Sequence, residues 1–178
     1  DLPSPHSPYA VSKLEAEIGL RSIAQRTSLD VVIIRPPAIY GRNAPGNFGV
    51  IEKFIKLGIP LPIGSIDNKR SLVAIENIVS FIAVCIEHKN AVNELFFVSD
   101  NQDLSTLEVI MLMGKLITKK PRTFKLPLKF LRFIFAVLGK QKAGVSLMSD
   151  LQIEIDRSRE LLEWSPPFNP RVLIENVD

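Results

Sequence analysis

Tyr9 and Lys13 stand four residues apart in Tyr9-Ala10-Val11-Ser12-Lys13, a spacing that on a helix puts two side chains on one face, one turn from each other. The two residue types suit proton transfer. A free phenol gives up its proton near pH ~10, and an ammonium held beside it favours the phenolate, moving that value toward the range where general acid/base catalysis works best. Tyr9 would move the proton and Lys13 would tune it. The spacing alone is weak evidence, because tyrosine and lysine fall four apart on many solvated helix faces.

Other reactive residue types are sparse. Cys85 is the only cysteine and lies in an apolar stretch, and His6 and His88 are far apart, so neither an internal disulfide nor a metal site is expected. Gly41-Arg42-Asn43-Ala44-Pro45-Gly46 has the glycine spacing of a triphosphate loop, but Asn47-Phe48 follow where Lys and Ser or Thr are required. That stretch is either a Gly/Pro/Asn surface loop or a loop that contacts substrate. A dinucleotide needs a Gly-rich strand-to-helix turn for its pyrophosphate, and none of the nine glycines supplies one.

The elements that must position these residues come from an ordinary globular composition, 46% hydrophobic and 23% charged, which predicts one compact unit rather than a disordered chain. Net charge is +3, with no run of five like charges, so a nucleic-acid partner has little support, while a mildly basic cleft would suit a phosphorylated substrate. The strongest apolar run, Phe130 to Leu138, carries Arg132 and is about half the ~20 residues a membrane span needs. The expectation is a cytoplasmic protein without a membrane partner.

A helix is predicted from Pro8 to about Gln25, with Val11, Leu14 and Ile18 on one side and Ala16, Leu20, Ile23 and Ala24 on nearly the opposite side. Such a helix wants two partners. Asp30 to Arg35 is an apolar, β-branched run that reads as a strand of a parallel sheet, ended by Pro36-Pro37. Further predictions are a helix from Val50 to Leu57, a helix running to Glu87, and a strand from Glu94 to Val98. Beyond these come an S-x-x-E capping box at Ser105–Glu108 opening a helix to about Ile117, a strand over Arg122–Leu126, and an apolar helix from Pro127 to Gly139.

Ser7-Pro8-Tyr9-Ala10-Val11-Ser12-Lys13-Leu14-Glu15-Ala16-Glu17 resembles the S-P-Y-x-x-S-K-x-x-A-E helix of the extended short-chain dehydrogenase/reductases, the NAD-dependent epimerase/dehydratase family. Later stretches follow that family's order to the end of the chain. Arg35-Pro36-Pro37-Ala38-Ile39-Tyr40-Gly41 resembles its R-x-x-N-V-Y-G-P stretch, Asn47-Phe48 its N-[LF], Lys69 to Asn77 its R-x-x-x-x-V-x-D, and Ile153 to Pro167 its closing D-x-S-[KR]…L-G-W-x-P.

The resemblance implies an α/β fold: the last part of a truncated Rossmann-like sheet, over residues 1–45, and a small nucleotide-sugar-binding lobe, mainly 46–178. It implies that Tyr9 and Lys13 are catalytic and also touch NAD, and that Pro37 and Ile39 lie at the nicotinamide. Neither Pro36 nor Pro37 has an amide hydrogen, so a backbone donor there is Ala38 or Ile39. It further implies that Asn47, Phe48 and the adjoining helix amides take the substrate diphosphate with Arg70, against the alternative of a surface arginine, and that Leu61 lies along the nucleobase. Ala38 replaces the family's frequent asparagine and Glu76 its usual aspartate, which leaves the sugar open. Trp164 is expected to be a packing anchor.

The implied activity is UDP-hexose 4-epimerisation with NAD as cofactor, NADP remaining open. A 4-reductase or a dehydratase of surface-polysaccharide synthesis uses the same residues, and a non-catalytic nucleotide-sugar-binding module is a further alternative. The second side of the Tyr9–Lys13 helix would meet a second subunit in a homodimer, or be buried within one subunit. The chain reads as a carboxy-terminal piece, inert alone.

Overall fold

Pro36 and Pro37 divide what would otherwise be one strand. In the computed structural model, which describes residues 4–5, 7–41 and 47–175, β1 (Ile33–Arg35) ends before them and β2 (Ala38–Tyr40) begins after them. Prolines offer no N–H to a ladder, and here the chain leaves one sheet for another. β1 runs parallel to β4 (Leu95–Phe97) with Ile33 opposite Leu95, and β2 runs parallel to β3 (Leu72–Ala74) with Ala38 opposite Leu72. The strand expected from Asp30 is thus only three residues long, matched to a three-residue partner.

The helix α1 (Pro8–Arg26) starts with Pro8 in its first turn and the Ser7 hydroxyl accepting from the Ala10 amide at 3.1 Å. The others are α2 (Asn47–Lys56), α3 (Ile75–Glu87), α4 (Thr106–Leu116), α5 (Leu128–Val137), α6 (Gln141–Met148), α7 (Asp156–Leu162) and α8 (Pro170–Glu175). The capping box of α4 is complete: the Glu108 amide donates to the Ser105 hydroxyl at 3.2 Å and the Ser105 amide to the Glu108 carboxylate at 2.7 Å. His6 and residues 42–46 lie outside the described residues, as does the side chain of Asn47.

Two expectations change. Arg122–Leu126 forms no strand but a single bridge, in which the Leu61 amide donates to Arg122 C=O at 2.8 Å and the Phe124 amide to Leu61 C=O at 3.0 Å. Leu61 lies between Pro60 and Pro62, neither of which can extend a ladder. The helix α6 was not expected from its short, weakly apolar sequence. It folds back on α5 because Gly144 lets the backbones close up: a Cβ there would stand 2.6 Å from the Phe135 ring.

The buried side chains form two cores. One gathers Val73, Phe81, Phe96, Val98, Ile155 and Trp164 beneath β1 and β4; the other gathers Tyr40, Ile55, Leu72, Leu104, Leu112 and Leu131. Strand alternation in β3 serves both, with Val73 in the first and Leu72 and Ala74 in the second. Trp164 is the expected anchor, its ring edge-on to Phe81 at 4.8 Å between centroids and its indole N–H donating to the Ser80 hydroxyl at 3.3 Å. Cys85 is buried in the first core, and burial pushes its thiol up to about 11, as befits a packing residue.

Between the cores lies a buried polar set. The Tyr40 hydroxyl donates to Asp100 Oδ2 at 2.6 Å, and Asp100 Oδ1 accepts from the Ala74 amide at 2.9 Å and from Asn77 Nδ2 at 2.6 Å. Asn77 also closes on Phe168, accepting from its amide at 2.8 Å and donating to its carbonyl at 2.9 Å. These bonds tie β2, the end of β3, α3, the residues after β4 and the segment before α8 to one another.

Candidate functional site

The capped first turn of α1 presents Tyr9 and Lys13 together. Tyr9 is 72% exposed, and Lys13 Nζ lies 5.5 Å from the centre of its ring, so the ammonium sits against the phenol face. Ser12 turns its hydroxyl back to the Tyr9 carbonyl at 2.8 Å, which bonds it within the helix. The hydroxyl of Tyr9 therefore faces solvent with a cation beside the ring, which is a usable arrangement for proton transfer.

What orients α1 lies outside the expectations from sequence. Glu17 accepts from both prongs of Arg35, Nε at 2.9 Å and an Nη at 2.6 Å, and the Arg35 guanidinium stacks 5.8 Å from the Phe97 ring. The bonded carboxylate raises the Arg35 guanidinium above its ordinary value, against the pull of burial. These two residues close one motif stretch and open the next, so each stretch holds the other. Along its own helix face Glu17 also has Lys13 and Arg21 four residues away on either side, so no local signal picked out Arg35 as its partner. Below α1 an open groove of 830 Å³ runs between Leu14, Ile18, Arg35, Phe97, Ile153 and Arg157.

Pro37 and Ile39 follow directly on this tethered strand, Pro37 half-buried and Ile39 exposed in β2 opposite Val73. Beside the second core, Ala38, Phe48 and Arg70 line one mainly apolar cavity of 310 Å³ with Leu72, Phe135 and Ser146. Arg70 Nη1 donates to the carbonyls of Ser146 and, at 3.0 Å, Ser149, while burial lowers the guanidinium's affinity for its proton. Its Nε and second Nη have no partner among the described residues, which leaves donors for an anion. Leu61 packs on the second core, bridged to Thr123, and does not line this cavity; nor do Tyr9 and Lys13. No group of three or more metal-ligating side chains occurs among the described residues.

Parallel strands carrying helices, with a tyrosine and lysine at the capped start of one of them, place the chain among the Rossmann-like α/β proteins. Residues 1–98 match the model of the NAD dependent epimerase/dehydratase family, and the chain belongs to that family. It is 39% identical over 165 residues to UDP-glucose 4-epimerase of Vibrio cholerae, a match covering 92% of this chain and 50% of that protein. The fold is shared with UDP-glucuronic acid 4-epimerase from Bacillus cereus in complex with NAD, at a TM-score of 0.70 and 22% identity over 98% of this chain and 52% of that one. It is shared equally with UDP-N-acetylglucosamine 4-epimerase from Bacillus cereus, at a TM-score of 0.70 and 17% identity over 100% of this chain and 57% of that one. The chain spans about half or less of the length of the curated relatives it matches.

Proposed function

We propose that the protein carrying this chain is an NAD-dependent nucleotide-sugar epimerase of the UDP-hexose 4-epimerase type. The observation that carries this reading is the exposed Tyr9 phenol with the Lys13 ammonium against it at the capped start of α1. The 39% identity to a UDP-glucose 4-epimerase supports the substrate class. Tyr9 in its phenolate form takes the proton from the sugar 4-hydroxyl and becomes the neutral phenol, then returns the proton. Lys13 stabilises the negative charge on the phenolic oxygen before the first transfer and after the second.

The residues present fit the nicotinamide end of NAD. The phenol of Tyr9 and the ammonium of Lys13, which lies over its ring, are groups that ribose hydroxyls would bond, and Pro37 and Ile39 come two and four residues after Arg35, to which α1 is tied. NAD, when bound, supplies a reversible hydride acceptor for sugar C4. Arg70, with its free donors, and Asn47 with the first amides of α2 take the diphosphate, Phe48 lies beside them, and Leu61 follows along the nucleobase. The same reading puts the enzyme in the cytoplasm, in surface-polysaccharide synthesis, and in a homodimer joined through α1, where Leu20 and Ile23 are exposed.

The test is turnover of the full-length protein on UDP-glucose, UDP-N-acetylglucosamine and their galacto forms. Interconversion without net NAD(P)H consumption is expected; net consumption would make it a 4-reductase, and no turnover of any of these sugars would remove the reading. Tyr9→Phe deletes only the titrating oxygen and should lower the rate by about 10²–10⁴, so a loss below about tenfold would clear Tyr9 of the role. The 178-residue chain alone is expected to be inactive and to bind no NAD in a calorimetric titration, because it holds no pyrophosphate turn.

A further inference from the structure

From Val109 to Ser149 the chain carries nine basic residues and no acidic one, whereas the remainder has thirteen basic against nineteen acidic. A net charge of +3 therefore hides +9 in one stretch and −6 in the rest. Apolar residues separate these cations, so no run of like charge marks them. The structure gathers them: Lys125, Lys129, Arg132, Lys140 and Lys142 are all exposed on or beside the α5–α6 hairpin.

The same hairpin exposes a large apolar face. Phe130, Phe133 and Val137 are 63%, 66% and 69% exposed and, with Ile134, fall at i, i+3, i+4 and i+7 on α5. The opposite side of α5 is committed, with Leu131 buried in the second core and Phe135 packed against it under Gly144. The outward rings are thus held rigidly in place without contributing to either core. The inner side of α5 packs on the second core, whereas the β1–β4 pair packs on the first.

We propose that this face of α5, with the cations around it, docks the protein on an anionic lipid bilayer. The helix would lie in the interface plane, its rings between headgroups and acyl chains, its lysines and arginines on the headgroup charges. It is too short to cross: none of the described helices is long and apolar enough. Charge separates the lipid surface from the other occupants. A second copy of this chain would bring one positive stretch against another, and a nucleic acid would match the cations while leaving four large apolar side chains in water. This surface is independent of the epimerase reading and stands or falls without it.

The experiment is flotation of the intact protein with vesicles of phosphatidylcholine containing about one-third phosphatidylglycerol, against phosphatidylcholine alone. Binding is expected only to the anionic vesicles and should be released as salt rises from about 0.05 M to about 0.5 M. Phe130→Ser/Phe133→Ser and Lys129→Gln/Arg132→Gln/Lys140→Gln should each lower the bound fraction by at least about tenfold. All five positions are exposed, so both variants should melt like the wild type. Absence of vesicle binding, equal binding to neutral vesicles, or binding that neither variant lowers would overturn the proposal. So would retention on double-stranded DNA alone, or a dimer in sedimentation that the double serine variant dissolves without any vesicle binding.

Discussion

The helix that carries Tyr9 and Lys13 and the junction between the two cores are held in opposite ways. No residue of α1 is buried, and its polar tie to the sheet is the two-pronged Arg35–Glu17 pair. At the junction Tyr40, Asp100 and Asn77 are all buried and bonded to one another, with backbone groups of Ala74 and Phe168 completing the set. The side chains proposed to meet a ligand stay open, on a helix tied to the sheet by one ion pair. The polar set that joins the two cores is closed and satisfied, because a buried polar group without a partner costs more than the bond itself contributes.

The largest effect should therefore come from the junction. Asn77→Ala removes three hydrogen bonds and leaves the Phe168 amide, the Phe168 carbonyl and part of the Asp100 carboxylate without partners. A loss of roughly 3 kcal/mol in chemical denaturation is expected, since each buried orphan costs about 1–3 kcal/mol and water will relieve some of them. If Asn77→Ala proved no worse than a change at the α1 tether, the contrast between the regions would be gone.

At the tether, Arg35→Lys keeps the charge and loses the fork. Both partners are partly shielded, with side chains 28% and 18% exposed, so the cost should be about 1 kcal/mol. Its effect should be local: amide hydrogen exchange speeds up along α1 while β1 and β4 keep their protection. Unchanged protection of α1 would mean that packing of Leu14 and Ala24, not the ion pair, holds the helix.

Much of this was legible in local chemistry and little of it in pairing. The Tyr9–Lys13 spacing and the α4 capping box depend on residues near one another in sequence, and each appears as expected; Trp164 is buried as expected, but on partners more than eighty residues away. Glu17–Arg35 and Tyr40–Asp100 span 18 and 60 residues, and their partners are chosen by the parallel strands rather than by any local pattern. The Arg122–Leu126 segment has strand-like composition but meets a partner flanked by prolines, so propensity lost to the neighbour's missing donors. The concentration of charge on α5–α6 was hidden for another reason: spacing by apolar residues conceals a patch that only folding assembles.

The smallest effect separates the two regions by pH. Burial raises the Asp100 carboxyl above its ordinary range, while donors from Tyr40, Asn77 and the Ala74 amide pull it back. The folded chain then holds that proton more tightly than the unfolded chain. The resulting contribution to stability is full below the ordinary carboxylate value of ~4 and is lost as pH rises through the folded value. Asp100→Asn removes the titration and conserves the contacts: its carbonyl oxygen can still accept from Ala74 and Asn77, and its amide can donate to the Tyr40 oxygen. Stability followed upward from pH ~4 should therefore fall less steeply in Asp100→Asn than in the wild type, whereas Arg35→Lys should keep the wild-type slope, since both cations stay charged until pH ~10. A wild-type slope in Asp100→Asn would show that the carboxyl titrates alike in folded and unfolded chains, and that the closed junction is no more sensitive to pH than the open helix.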